Sequence, residues 1–216
     1  MPIRSSSHTP PGSSLSPPDV RRDNHSGTLC IIPISWHAAG FAHRCRWNGP
    51  HLQGDAPLTP PWVLEDLISG LQDAPDADIA TPVLRCDGAT LNSFLEDRKA
   101  GRVGGTTAVF DADRQALYFS KEVVPFISQN YADDSETPVY HLVGGYAYRA
   151  DALAAYASWP EGPLELLEGL EQLRFLEQVR SILCVEVAAR GRQFWELNNP
   201  EDVPRIEAMM LRMQMR

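Results

Sequence analysis

The residues His51-Leu52-Gln53-Gly54-Asp55-Ala56-Pro57-Leu58-Thr59-Pro60-Pro61 carry the chain from an irregular N-terminal part into a regular one. A short apolar-polar stretch runs into Gln53-Gly54-Asp55. Ala56-Pro57 then turns the chain, and Pro60-Pro61 opens a helix near Trp62. A strand end, a turn and a helix start in that order predict an α/β unit. Gly54 lets the backbone adopt positive φ or come close to a ligand. Asp55 presents a carboxylate just past the strand end, where open α/β sheets bind ligands. A carboxylate there suits Mg²⁺, which takes oxygen donors and shares them with substrate phosphates. The alternative at this point is a turn with a solvated Asp.

Downstream the pattern stays regular. Val63, Leu64, Leu67, Ile68 and Leu71 recur at helical spacing over 62–71. Residues 79–84 read as a strand, with Pro82 placing it at an edge or bulge. A short helix follows over 90–99. Residues 106–110 and 116–120 form a hairpin across Asp111-Ala112-Asp113-Arg114-Gln115, where the acids serve the turn and not a metal. Residues 128–138 read as a loop, and 139–149 as a strand interrupted by Gly144-Gly145, a mark of a bulge or a close backbone approach. A helix starts at Asp151 and ends before Pro160. Pro163 opens a longer one through Gln178, whose Leu164, Leu167, Leu170, Leu173 and Leu176 form a core stripe. Glu168, Glu171, Gln172 and Arg174 lie off that stripe, ordinarily a solvated face. Residues 182–187 read as a buried strand. Asn198-Asn199-Pro200-Glu201-Asp202 starts a last helix whose Met-rich end is read as packing.

Composition narrows the class. A chain of 216 residues with 43% hydrophobic and 22% charged residues suits one globular α/β domain. A formal net charge of −9 argues against general nucleic-acid binding. No apolar run approaches the roughly 18 residues of a membrane span, and no signal peptide is evident, so a cytoplasmic setting is expected. Cys30, Cys45, Cys86 and Cys184 form no close pair and read as reduced structural thiols. Residues 1–24 are rich in Ser, Pro and Arg and read as disordered. Residues 25–50 are irregular; His25, His37, His43 and Cys45 match no compact metal-ligand spacing. Residues 51–216 form the regular domain.

Beyond this, an ordered set of segments resembles a known family. Gln53-Gly54-Asp55-Ala56-Pro57, Ala116-Leu117-Tyr118-Phe119-Ser120-Lys121, Gly145-Tyr146-Ala147-Tyr148-Arg149, Pro163-Leu164-Glu165, Leu170-Glu171-Gln172-Leu173-Arg174 and Asn199-Pro200-Glu201-Asp202 are similar to those of the 3-deoxy-manno-octulosonate (Kdo) cytidylyltransferases, the CMP-Kdo synthetases. The resemblance covers 51–212. It implies a nucleotide-diphospho-sugar transferase fold with a Rossmann-like, mostly parallel sheet and a homodimer. It implies transfer of CMP from CTP to Kdo, giving CMP-Kdo and pyrophosphate for lipopolysaccharide assembly. By the same resemblance Asp55 ligates Mg²⁺ and, with Lys121, serves catalysis. Gln53, Gly54, His141, Tyr146, Arg149, Glu171, Gln172 and Arg174 bind substrate, Arg149 and Arg174 electrostatically or structurally. Asn198 holds the place of a second metal ligand. Lys121 stands where relatives often carry Arg, a point charge in place of a bidentate fork.

The chain also departs from that pattern. The family's opening strand and basic phosphate-gripping loop have no counterpart here. Ile31-Ile32-Pro33 matches only its first step, after His25-Ser26-Gly27-Thr28 and not before it. The expectation is an N-terminal truncation, a wrong start or a frameshift. Asn198 replaces an Asp and adds no negative charge. Leu142 fills the family's His position, with His141 one residue earlier and so on the opposite face of its strand. The alternatives are an inactive sugar-binding remnant, a cytidylyltransferase for a related acid sugar, and an unrelated α/β binding module.

Overall fold

The computed structural model describes residues 29–30, 58–103, 105–192, 194, 200 and 202–214. The Ser/Pro-rich segment, the missing phosphate loop, the Gln53-Gly54-Asp55 turn and Asn198 are expectations that lie outside the described residues. The sheet is organised on β2 (Ile79–Asp87). On one edge β2 pairs in parallel with β7 (Ile182–Glu186). On the other it pairs antiparallel with β6 (Ala147–Arg149) at its start and with β5 (Glu136–Leu142) further along. β5 continues outward to the hairpin of β3 (Thr107–Phe110) and β4 (Ala116–Ser120), and β6 to β1 (Leu29–Cys30). Gln115 bridges back to Leu183 on β7, so the sheet curls.

The α/β class stands, but the mostly parallel sheet does not describe these residues: β2 with β7 is the parallel pairing and the others are antiparallel. Between β2 and β5 the chain runs through a helix over Gly88–Lys99 and the β3–β4 hairpin, a connection long enough for either direction, and it returns antiparallel.

Pro82 sits in a central strand, not at an edge. Its carbonyl accepts from Val143 N at 3.0 Å, so its nitrogen, which has no proton to give, faces the same side. That side is the interruption between β5 and β6, where Gly144-Gly145 leave the ladder. Thr81 Oγ1 donates to Gly145 O at 3.0 Å and ties the interruption down.

Alternation along β2 defines two layers. Ile79 and Val83 join one core with Tyr140, Leu142, Tyr146, Tyr148, Leu173 and Phe175. This face is covered by α3 (Ala150–Tyr156), α4 (Pro163–Glu168) and α5 (Leu173–Glu177). Ala80, Leu84 and Cys86 face the other way, toward α1 (Pro61–Asp73) and α2 (Gly88–Lys99). Proline at N1 and the apolar stripe place α1 as its sequence predicts. Leu67 and Leu71 are fully buried, each contributing roughly 2 kcal/mol. Asp87 caps α2 through Thr90 N at 2.8 Å, starting it two residues earlier than its sequence pattern suggests. Asp111 accepts from Asp113 N and Gln115 N, the expected turn chemistry. α6 (Asp202–Gln214) ends the fold; Met210 and Leu211 are exposed, so the packing role expected of its Met-rich end fails there. No helix among the described residues is long and apolar enough to cross a membrane.

His141 lies on the α2 side. It pairs across the sheet with Leu84 and Thr107, and its ring meets Phe94 edge-on at 5.1 Å. Burial pushes its pKa from 6.5 down to about 4. As pH falls through that window the unfolded chain takes up a proton that folded His141 refuses. Stability therefore drops on acidification, by roughly 3 kcal/mol in all. Replacing the imidazole in His141→Leu removes this contribution. Denaturant titrations at pH 7 and pH 4.5 should show a smaller acid loss in the variant than in the wild type; equal losses would mean that His141 titrates normally.

Candidate functional site

The segment 161–178 departs most from its sequence pattern. A single helix with a buried leucine stripe is expected, but the chain breaks at Gly169, which adopts φ +61° and ends α4. Only six residues precede the break, and α5 resumes at Leu173. The faces are correspondingly reversed. Leu164, Leu166 and Leu167 are exposed, while Glu165, Gln172 and Arg174 are buried. Leu170 and Leu173 alone of the stripe are fully in the core.

What draws charge inward is a pair. Arg174 donates to Glu165 through Nε at 2.6 Å and Nη2 at 2.5 Å, a bidentate fork. Its third nitrogen donates to Trp159 O at 3.3 Å, and its guanidinium lies 4.3 Å from the Tyr156 ring centre. Glu177 accepts from Leu164 N and Glu165 N, satisfying the open amides at the start of α4. Glu168 accepts from Ser120 Oγ at 2.8 Å, Lys121 N at 3.0 Å and Tyr118 OH at 3.3 Å, which fixes α4 to the end of β4.

Between these anchors the turn 169–172 presents two polar side chains. Gln172 is 3% exposed, and its amide nitrogen has no hydrogen-bond partner among the described residues. An unpaired buried donor costs about 1–3 kcal/mol, which a ligand acceptor would return. Glu171 is half-buried, and its pKa is raised to about 7, first by burial and then by Glu165; Arg174 opposes the rise. Burial raises the Tyr148 and Tyr156 phenols, and the nearby Glu171 carboxylate adds to both rises. Tyr146 is buried beside Tyr148, ring centres 5.9 Å apart. Lys121 reaches the same turn, its Nζ only 2.8 Å from where a Cβ on Gly169 would sit. On its other side Lys121 lines an open groove of about 420 Å³ with Arg98, Val103, Tyr118, Glu122, Leu167 and Glu168.

The structure thus gathers Lys121, Tyr146, Glu171 and Gln172 on the α3–α5 face. Of the other three described candidates, His141 and Arg149 lie away from that group and Arg174 stands beside it with its donors engaged. His141 belongs to the opposite face, as its one-residue shift predicts. Arg149 donates to Ala77 O, Leu71 O and Ala74 O, closing the C-terminal end of α1, so its guanidinium is not available to a substrate. Arg174 has all three nitrogens engaged internally. Sequence reading missed Glu165 and Glu177 as partners, and it took Glu168 for a solvated residue. The buried acids lie within reach of Arg174 or of open helix amides once Gly169 is read as a break, and that glycine was the available signal.

Gly169 offers a test. A non-glycine residue at positive φ costs about 1 kcal/mol. Gly101 has φ +74° with open space at its Cβ, so Gly101→Ala measures that cost alone. Gly169→Ala should lose a similar stability, because Lys121 can swing away. It alone should shift the Lys121 ammonium resonance in NMR spectra. Identical spectra for the two variants would dissociate Lys121 from the turn.

The cytidylyltransferase family model matches residues 50–182. The 3-deoxy-manno-octulosonate cytidylyltransferase of Maricaulis maris is 39% identical over 160 residues, 74% of this chain and 61% of the relative. That of Chlamydia trachomatis is 36% identical over 162 residues, 74% of this chain and 58% of the relative. A solved structure of CMP:2-keto-3-deoxy-manno-octonic acid synthetase complexed with CTP is 29% identical, with a TM-score of 0.58, covering 75% of this chain and 61% of that one. The chain spans about three fifths of the length of the curated relatives it matches.

Proposed function

Because the chain belongs to the cytidylyltransferase family, we propose that it transfers the cytidylyl group of CTP to Kdo, giving CMP-Kdo and pyrophosphate for lipopolysaccharide synthesis. The anomeric hydroxyl of the sugar attacks the α-phosphate, its proton goes to solvent or base, and pyrophosphate leaves. Such a step asks the protein for alignment and charge rather than covalent help. The observation that carries the reading is the buried Gln172 amide with no partner among the described residues. A sugar hydroxyl is a partner of the right chemistry. Glu171, about half protonated near neutral pH, can donate to or accept from a neighbouring hydroxyl. Tyr146 flanks this turn, and the Lys121 ammonium suits the carboxylate of an acid sugar.

The Gln53-Gly54-Asp55 turn takes the phosphate side in this reading. The metal donors are those the family resemblance implies, Asp55 and the Asn198 carbonyl. Both are oxygen donors of the kind Mg²⁺ accepts, and the ion would screen the triphosphate when bound. A cytoplasmic setting goes with a CTP-dependent step and with the free thiols Cys86 and Cys184. The reading also includes a homodimer, as the family resemblance implies.

Pyrophosphate release by the purified chain with CTP, Kdo and Mg²⁺ tests this. Release should require all three, and Asp55→Asn should lower turnover by orders of magnitude without unfolding the chain. Gln172→Leu should raise KM for Kdo about tenfold, with KM for CTP unchanged. No release from folded wild-type protein would sink the proposed activity. Full activity in Asp55→Asn would remove Asp55 as the essential metal ligand.

A further inference from the structure

We propose that Glu165 and Arg174 are positioning residues for the sugar: their buried pair fixes the 169–172 turn and sets sugar affinity without touching either substrate. The inference rests on the sugar site proposed above. Glu165 sits on α4 and Arg174 on α5, so the fork spans the break at Gly169 and closes the turn into a loop. A second tie runs the same way, from Glu177 on α5 to the first amides of α4. With both ends held, Glu171 and Gln172 have little freedom to turn away.

Stability alone does not account for such a pair. Replacing a buried ion pair with packed apolar residues is often neutral or stabilising. This segment has leucines to spare, yet Leu164, Leu166 and Leu167 stay in solvent while the charges go inside. Leucine in place of the pair would bury apolar area, but it would not fix the turn's direction. The bidentate geometry, with Trp159 O on the third nitrogen and the Tyr156 ring against the guanidinium, admits one arrangement.

The pair also acts on Glu171 through charge. Glu161 and Glu165 face its carboxyl from the approach to α4 and from α4 itself, Arg174 faces it from α5, Tyr148 from β6 and Tyr156 from α3. Arg174 is the cation in this set. The two partners push the Glu171 titration in opposite directions, Glu165 upward and Arg174 downward. An ionised Glu171 repels the sugar carboxylate, so sugar binding weakens as pH rises through the Glu171 midpoint.

Calorimetric titration of the full chain with Kdo alone, from pH 5.5 to 8.5, separates these effects from chemistry. Arg174→Met should weaken Kdo binding about tenfold or more and move the midpoint upward. Glu165→Gln should weaken binding similarly and move the midpoint downward. Arg174→Lys keeps the charge, so its midpoint should match the wild type even where affinity is only partly restored. Should Arg174→Met fail to fold, a lowered midpoint in Glu165→Gln beside an unshifted one in Arg174→Lys still decides the matter. CTP binding should be unchanged in every folded variant. Midpoints that move together, or Kdo affinities that do not change, would overturn the positioning role. A wild-type chain that binds no Kdo would overturn the sugar site itself, and the inference with it.

Discussion

A proline in a central strand constrains the whole sheet. β2 has neighbours on both edges, yet at Pro82 it has no proton to offer one of them. The ladder on that side must therefore be interrupted, and the chain interrupts it with Val143-Gly144-Gly145-Tyr146. β5 and β6 are consequently two segments of one antiparallel run along β2, offset by a looped-out stretch. The offset is two residues, so alternation survives it: Tyr146 and Tyr148 keep the α3–α5 face of Tyr140 and Leu142, while Ala147 packs under α1.

The segment 163–178 shows how local pattern and tertiary demand can disagree. Its leucines recur every three residues, which fits an uninterrupted amphipathic helix. Gly169 ends that helix after fewer than two turns. The charged residues are then nearer to one another than to solvent, and the Glu165–Arg174 fork supplies enough hydrogen bonding to offset their dehydration. Exposed leucines on α4 are the cost of this arrangement.

Those two places mark how far the sequence could be read. α1, β2, β7 and the β3–β4 hairpin were legible because their signals are local: apolar period, proline at N1, an Asp in a tight turn. The side of His141 was legible too, since a strand alternates strictly. Sheet direction was not, because it depends on pairings far apart in the chain. The task of Arg149 was equally hidden, since its partners are the carbonyls of Leu71, Ala74 and Ala77, reached only in the fold. Of the candidate site, Lys121, Tyr146, Glu171 and Gln172 could be named from ordered motifs. Their supports could not, because nothing in the periodicity distinguishes a buried Glu165 from a solvated one.

The parallel pairing of β7 with β2 also has a bearing on how the chain is made. The two strands are separated by about a hundred residues. During synthesis β2 can acquire β5 and β6 early, but its other edge stays bare until β7 leaves the ribosome. An apolar strand with an unpaired edge is a template for other chains. The nascent protein thus passes through an aggregation-prone interval, and a ribosome stalled before residue 182 would release a product with that edge permanently open.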